Sequence, residues 1–274
     1  MILTPIRRYG AMILILLTLV FSSEVLAKTH TTTASQKSHL TKASNKQVSS
    51  KQEYSRNSAK SSSLPDLRKY PSGTPRKKAF LRTVMPYITS QNAAIAAERN
   101  WLISKQYQGQ WSPAERARLK DIAKRYKVKW SGNTRKIPWN TLLERVDIIP
   151  TSMVATMAAA ESGWGTSKLA RNNNNLFGMK CMKGRCTNAP GKVKGYSQFS
   201  SVKESVSAYV TNLNTHPAYS SFRKSRAQLR KADQEVTATA MIHKLKGYST
   251  KGKSYNNYLF AMYQDNQRLI AAHM

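Results

Sequence analysis

The stretch AAAESGWGTSKLA, Ala158 to Ala170, sets one acid at the end of an apolar helical run, directly before a Gly-Trp-Gly breaker. Met153, Met157 and Glu161 stand at i, i+4 and i+8, with Val154 and Ala158 beside them. Glu161 therefore projects from the apolar stripe of its own helix rather than from a solvated side. Apolar surroundings disfavour the charged form of a carboxyl and raise its pKa. A general acid working at neutral pH requires that shift, and protonating a glycosidic oxygen is the reaction that most often employs such a Glu. A buried Glu satisfied by a helix terminus or an Arg fits the same placement, so the helix by itself leaves both readings open.

Missing motifs narrow the chemistry. The chain has no G-x-S-x-G elbow, no H-E-x-x-H, no phosphate-binding glycine loop and no dinucleotide fingerprint. Its five histidines, His30, His39, His216, His243 and His273, show no ligand spacing. His216 and His243 are candidates for catalysis, but with no acid or nucleophile near them in sequence they read rather as surface or core residues. The two cysteines, Cys181 and Cys186, suit a bridge across a tight hairpin with Gly184 in the turn, although a reduced pair satisfies the sequence too. Two thiols without a nearby His do not make a tetrahedral zinc site. No metal and no organic cofactor is expected.

The elements that must position Glu161 follow from composition and pattern. The 274 residues include 45 Lys+Arg and only 13 Asp+Glu, a formal charge of +32, which implies an anionic partner such as nucleic acid, a membrane face or an anionic polymer. At the N-terminus Arg7 and Arg8 precede the apolar run Ala11 to Phe21, and Val25-Leu26-Ala27 offers a small-residue cleavage site. The run is shorter than the roughly 20 residues of a spanning helix, so residues 1–27 read as a secretory signal cleaved after Ala27. Export makes nucleic acid a poor partner and permits a disulfide. From Lys28 to about Ser63 the chain is Ser, Thr, Lys, Gln and Asn with almost nothing apolar, and residues 28–74 are taken as a disordered basic tether. The tether is either an attachment to anionic envelope polymers or a membrane surface, or a solvated spacer.

Helical spacing returns at Phe80, Val84, Tyr87, Ile88, Ile95, Trp101 and Leu102, with Pro86 expected to kink or break it. Ser112-Pro113-Ala114-Glu115 is a capping box with Pro at the first helical position, opening a helix to about Tyr126. Ile137-Pro138-Trp139 opens another, carrying Leu142, Leu143 and Val146; Glu98, Asp121 and Glu144 read as solvated faces. The Glu161 helix starts near Pro150, and Thr166 can cap a short one after it. LFGMKC, TNAP and KVKGYSQF read as short strands, SVKESVSAYVTNLNTH as a helix, and the tail as two more helices. The plan is α+β and mostly helical, with 75–147 as a helical extension and 148–274 as the domain that holds Glu161.

ESGWGTSKLA (Glu161 to Ala170), NNLFGMK (Asn174 to Lys180), FSSVKESVSAYV (Phe199 to Val210) and GYSTKGKSYNNYL (Gly247 to Leu259) occur in that order. Together they resemble the glucosaminidase family of peptidoglycan hydrolases, glycoside hydrolase family seventy-three, which includes the muramidase half of the flagellar-rod assembly protein. The resemblance covers about Ile148 to Asn266. It implies a lysozyme-like catalytic domain: a helical lobe, a small β-hairpin lobe and a glycan groove between them. It implies hydrolysis of the bond after N-acetylglucosamine in peptidoglycan, with Glu161 as proton donor. Aligned with the family's Y-A-T motif, Tyr248 would lie near the scissile sugar, orienting its acetamide or a water. Trp164, Asn175, Phe177 and Tyr255 become substrate-groove candidates; Trp164 is expected mainly to pack and fix Glu161, and Phe177 to sit in the core.

The chain departs from the pattern where some relatives place a second acid. Between Leu176 and Phe199 it has no Asp or Glu; Glu204, on the following helix, is the nearest candidate for a second catalytic group, although it also fits a solvated helix face. Two-carboxylate hydrolysis places its partners about 5 to 9.5 Å apart. Without a partner, three options remain: the substrate's acetamide acts as nucleophile, Tyr248 positions a water, or turnover is lost. The expected protein is thus an exported, envelope-associated monomer acting on peptidoglycan glycan strands. A non-catalytic wall-binding or morphogenesis protein, and a lytic transglycosylase, are the alternatives.

Overall fold

A computed structural model of the protein describes residues 63–181, 186, 189–245, 248 and 252–274. The expected signal segment and most of the expected tether lie outside the described residues, as does Gly184. Order begins before residue 74, however. Leu64 and Leu67 are buried, Leu67 at 1% exposure, and Asp66 caps a short 3-10 turn at Leu67–Lys69. The Leu64 N–H donates to the Asn174 side chain at 3.1 Å. Two leucines are enough to seat this stretch on the core.

Nine α-helices are described: α1 Thr74–Lys105, α2 Pro113–Arg125, α3 Trp139–Arg145, α4 Thr151–Ser162, α5 Lys168–Asn173, α6 Val202–Thr215, α7 Ser220–Lys231, α8 Ala238–Met241 and α9 Lys253–Ala271. None is long and apolar enough to cross a membrane. The centre is α4, which packs against α1, α8 and α9. Every residue from Met153 to Ala159 is at or below 1% exposure, so this helix is enclosed on all sides rather than along one stripe. That explains its small residues: Ala155, Ala158 and Ala159 let its neighbours approach closely.

Expectations about α1 need correction. Pro86 neither ends it nor divides it, and the helix runs through 32 residues. Proline removes one backbone hydrogen bond, but Phe80, Leu81, Val84, Met85, Ile88, Ile95 and Leu102 are buried against α4 and α6. Tertiary burial outweighs the lost bond. The helix is thus part of the same hydrophobic core as α4 and α6. The capping box of α2 is present in full: Ser112 accepts from the Glu115 N–H, and Glu115 accepts from the Ser112 N–H. The short helix α5 is capped by Ser167 rather than Thr166, whose hydroxyl donates to the Gly163 carbonyl instead.

The expected strands reduce to isolated bridges. Among the described residues, LFGMKC and KVKGYSQF share one antiparallel bridge, Lys180 with Tyr196, and a second joins Cys186 to Ser197; Thr187 and Asn188 of TNAP lie outside the described residues. Asparagine amides replace a ladder. Asn173 donates to Val193 and Ser197 carbonyls and accepts from the Val193 N–H; Asn175 donates to Met179 and Ser197 carbonyls and accepts from the Met179 N–H. Side chains that bind the backbone compete with regular pairing. The Cys181–Cys186 disulfide is formed across this region, with Cα atoms 5.1 Å apart.

Candidate active site

Glu161 sits in the last turn of α4, and three left-handed residues follow in succession: Gly163, Trp164 and Gly165, at φ 57°, 56° and 79°. The reversal is held by Ser162, whose hydroxyl donates to the Ala158 carbonyl and accepts from the Gly165 N–H. A β-carbon at Gly165 would come within 2.6 Å of Leu67 Cδ1 and 3.1 Å of Phe80 Cδ2, so only glycine fits there. Trp164 packs edge-on against Phe80, centroids 5.6 Å apart, with the Lys77 ammonium 5.1 Å above its ring. It pegs the end of α4 to α1 and does not line the cleft, although it was a groove candidate.

The Glu161 carboxyl, half-buried, opens into a cleft of about 580 Å³. One wall is the 177–181 turn, another is α6 with Tyr209, Asn212 and His216, and a third carries Tyr248 and Tyr255; Lys127 and Tyr219 complete the lining. Gly178 has φ 62°, and a β-carbon on it would stand 3.2 Å from Glu161 Oε2. Asn175, fully buried, fixes this turn through its amide and does not itself line the cleft. Phe177 does line it, and stacks flat on Tyr209 with centroids 4.0 Å apart. Tyr248 stacks on Tyr255 at 5.6 Å, and Tyr219 lies 6.1 Å from Tyr248.

Burial pushes the Glu161 carboxyl above the usual range, and the Tyr255 hydroxyl, which donates to Glu161 Oε1, pulls it part of the way back. No salt bridge to Glu161 occurs among the described residues. Burial first, then the bond to Glu161, holds the Tyr255 hydroxyl protonated far above its ordinary pKa. Tyr248 is raised in the same direction, chiefly by burial and next by the charge of Glu161. The Tyr209 hydroxyl is buried beside Tyr248, whose ring stands edge-on to it at 6.4 Å, and burial pushes it well above its ordinary pKa.

Glu161 is the cleft's acid, and no second carboxylate is among the lining residues. Glu204 is brought elsewhere: its carboxylate accepts from the Ser200 N–H at 2.7 Å and the Ser200 hydroxyl at 2.8 Å, next to the Ser201 cap of α6. Sequence reasoning missed Lys127, Tyr209, Asn212 and Tyr219, and it read His216, which lines the cleft, as a surface or core residue. In a chain this basic a lysine beyond a helix gives no signal, and Tyr219 follows a Pro in a short 3-10 turn. Among the described residues no three His, Cys, Asp or Glu side chains converge as a metal site would require.

The family model described as mannosyl-glycoprotein endo-beta-N-acetylglucosaminidase matches residues 138–268. Protein bax of Escherichia coli strain K12 is 99% identical over 274 residues, covering 100% of both chains. No solved structure matches. The matched region holds every cleft-lining residue except Lys127, and the chain belongs to the glucosaminidase family.

Proposed function

We propose that this protein is an exported hydrolase that cleaves peptidoglycan glycan strands next to N-acetylglucosamine, with Glu161 as general acid. The observation that carries the reading is the state of one carboxyl. Glu161 faces an open cleft, is raised in pKa by burial, and is opposed by tyrosine hydroxyls rather than a cation. A carboxyl raised in this way keeps its proton to higher pH than a free one and can hand it to a leaving glycosidic oxygen. The aromatic lining suits sugar rings, whose C–H faces pack on aromatic surfaces while their hydroxyls find donors and acceptors around them.

The second step falls to something other than a lining carboxylate. Tyr248, stacked on Tyr255 and close to Glu161, is placed to orient a water or the sugar's acetamide. Glu204 is not included, since its carboxylate is spent on Ser200. The single acid also favours a second reading, a lytic transglycosylase, which needs one proton donor and no water. A disulfide in the cleft wall and a glycan-strand substrate both suit an envelope location.

The test is digestion of purified sacculi by wild type and Glu161→Gln, followed by mass spectrometry of released muropeptides. Hydrolysis predicts reducing ends at N-acetylglucosamine from wild type and almost none from the variant. Anhydro-muramyl ends would transfer the reading to the transglycosylase. Equal release by both proteins, or none by either, would leave a wall-binding protein.

A further inference from the structure

One residue of the cleft lining, Lys127, comes from outside the matched region. α2 ends at Tyr126, and Lys127 follows in left-handed backbone at φ 55°. Glycine or asparagine takes that conformation more cheaply, because a β-carbon crowds it. The turn is nevertheless fixed: the Arg145 guanidinium donates to the Tyr126 and Lys127 carbonyls at 3.0 and 2.7 Å. The Lys127 side chain is exposed and borders the same cleft as Glu161. Lys180, on the 177–181 turn, is engaged, donating to the Tyr196 hydroxyl at 3.0 Å with its ammonium 4.2 Å above the Tyr196 ring. Lys127 has no ion pair and no side-chain hydrogen bond among the described residues.

A cation held in a fixed turn at the rim of a glycan cleft, without a counter-charge of its own, is set for an anion on the substrate. We propose that Lys127 is a specificity residue that engages a carboxylate of the acidic peptides borne by the glycan strand, so that the cleft distinguishes peptide-bearing from bare glycan. The proposal rests on the peptidoglycan reading above. A neutral sugar chain offers Lys127 nothing, whereas each peptide-bearing sugar brings carboxylates alongside the strand.

Because the whole chain carries +32, the test must separate a local contact from the overall field. Full-length Glu161→Gln protein is bound to purified sacculi, and to the same strands stripped of peptides by an amidase, in a sedimentation assay. Lys127→Met, Lys127→Arg and Lys120→Met are then compared in that background; Lys120 is an exposed lysine of α2 that does not line the cleft. Lys127→Met is expected to weaken binding to peptide-bearing strands about 5-fold, the scale of one exposed ion pair, and to abolish the preference over stripped strands. Lys127→Arg should restore the preference, and Lys120→Met should keep it. Equal losses for Lys127→Met and Lys120→Met, or an unchanged preference in Lys127→Met, overturn the proposal. Binding requires no turnover. A wild type that releases no muropeptides therefore defeats the hydrolase reading alone, while a wild type that cleaves sacculi beside an indifferent Lys127→Met defeats the specificity claim alone.

Discussion

Two acids stand at opposite ends of helix α4, Asp147 before its start and Glu161 in its last turn, and their surroundings are opposite. Asp147, just before it, is 1% exposed and ringed by cations: Arg230 grips both its oxygens at 3.0 and 3.1 Å, with Arg99 and Arg226 at 3.6 and 3.7 Å. Glu161, near the other end, has tyrosines and a cleft. A carboxylate gripped by guanidiniums on several sides ties the elements that carry them together, so it acts as a strut. Its backbone carbonyl joins the same network, accepting from Asn214 and Arg226. A carboxyl with desolvation and no counter-charge can exchange its proton, so it can act as a reagent. What separates the two roles is the presence of arginine, not the depth of burial alone.

The comparison breaks most visibly by neutralising each acid in turn. Glu161→Gln should reduce muropeptide release by about 10³-fold, within the range removal of a general acid gives, with the fold intact by circular dichroism. Asp147→Asn should leave the activity of the folded fraction within about twofold and instead destabilise the protein by about 3 kcal/mol in urea unfolding, because Arg226 and Arg99 lose their counter-charge. Burial already depresses both guanidiniums, and Asp147 is what opposes that in each case. An Asp147→Asn protein of unchanged stability would mean that the arginines are satisfied by the carbonyls of Glu144, Leu143, Val146 and Ile148, which they also contact.

The two acids were not equally legible. Glu161 stood out because an apolar stripe runs straight into it, and a glycine breaker stops the helix there. Asp147 carried no such signal: its partners Arg226 and Arg230 lie on α7, a helix that hydrophobic periodicity passes over. The inward face of α7 is built from Phe222, Arg223 and Arg226, so its buried side chains are mostly charged. Local signals did succeed where the chemistry is local, as at the Ser112/Glu115 capping box. They failed where long-range partners decide: Pro86 is carried by packing on α4, and the expected strands give way to Asn173 and Asn175. Lys127 reaches the cleft only because the turn after α2 is pinned by Arg145, a contact no spacing encodes.

A finer probe of the Glu161 environment is Tyr255→Phe. The Tyr255 hydroxyl donates to the ionised carboxyl and so holds its pKa down against burial. Removing it should raise that pKa further. A general acid must be protonated to act, so activity is lost as pH rises through its pKa, and the alkaline limb of the pH profile should move to higher pH in Tyr255→Phe. The maximal rate should fall about 5-fold, the scale of one hydrogen bond. A limb that moves to lower pH would mean that the tyrosine supports the neutral acid.

The smallest effect tests the same carboxyl through stability. The folded-state pKa of Glu161 lies above its unfolded value. Below the unfolded value the group is neutral in both states and exerts no penalty. As pH rises through the folded pKa, the native state must hold a desolvated charge, and stability is lost. Glutamine never ionises, so Glu161→Gln should melt a few degrees above wild type at pH 8, about 2–4 °C for a domain of this size, and at the same temperature as wild type at pH 4. Asp147→Asn should melt below wild type at pH 8, because its charge is paired rather than opposed. If Glu161→Gln melted lower at pH 8 as well, both carboxylates would be struts, and the contrast on which the assignment of the proton donor depends would be gone.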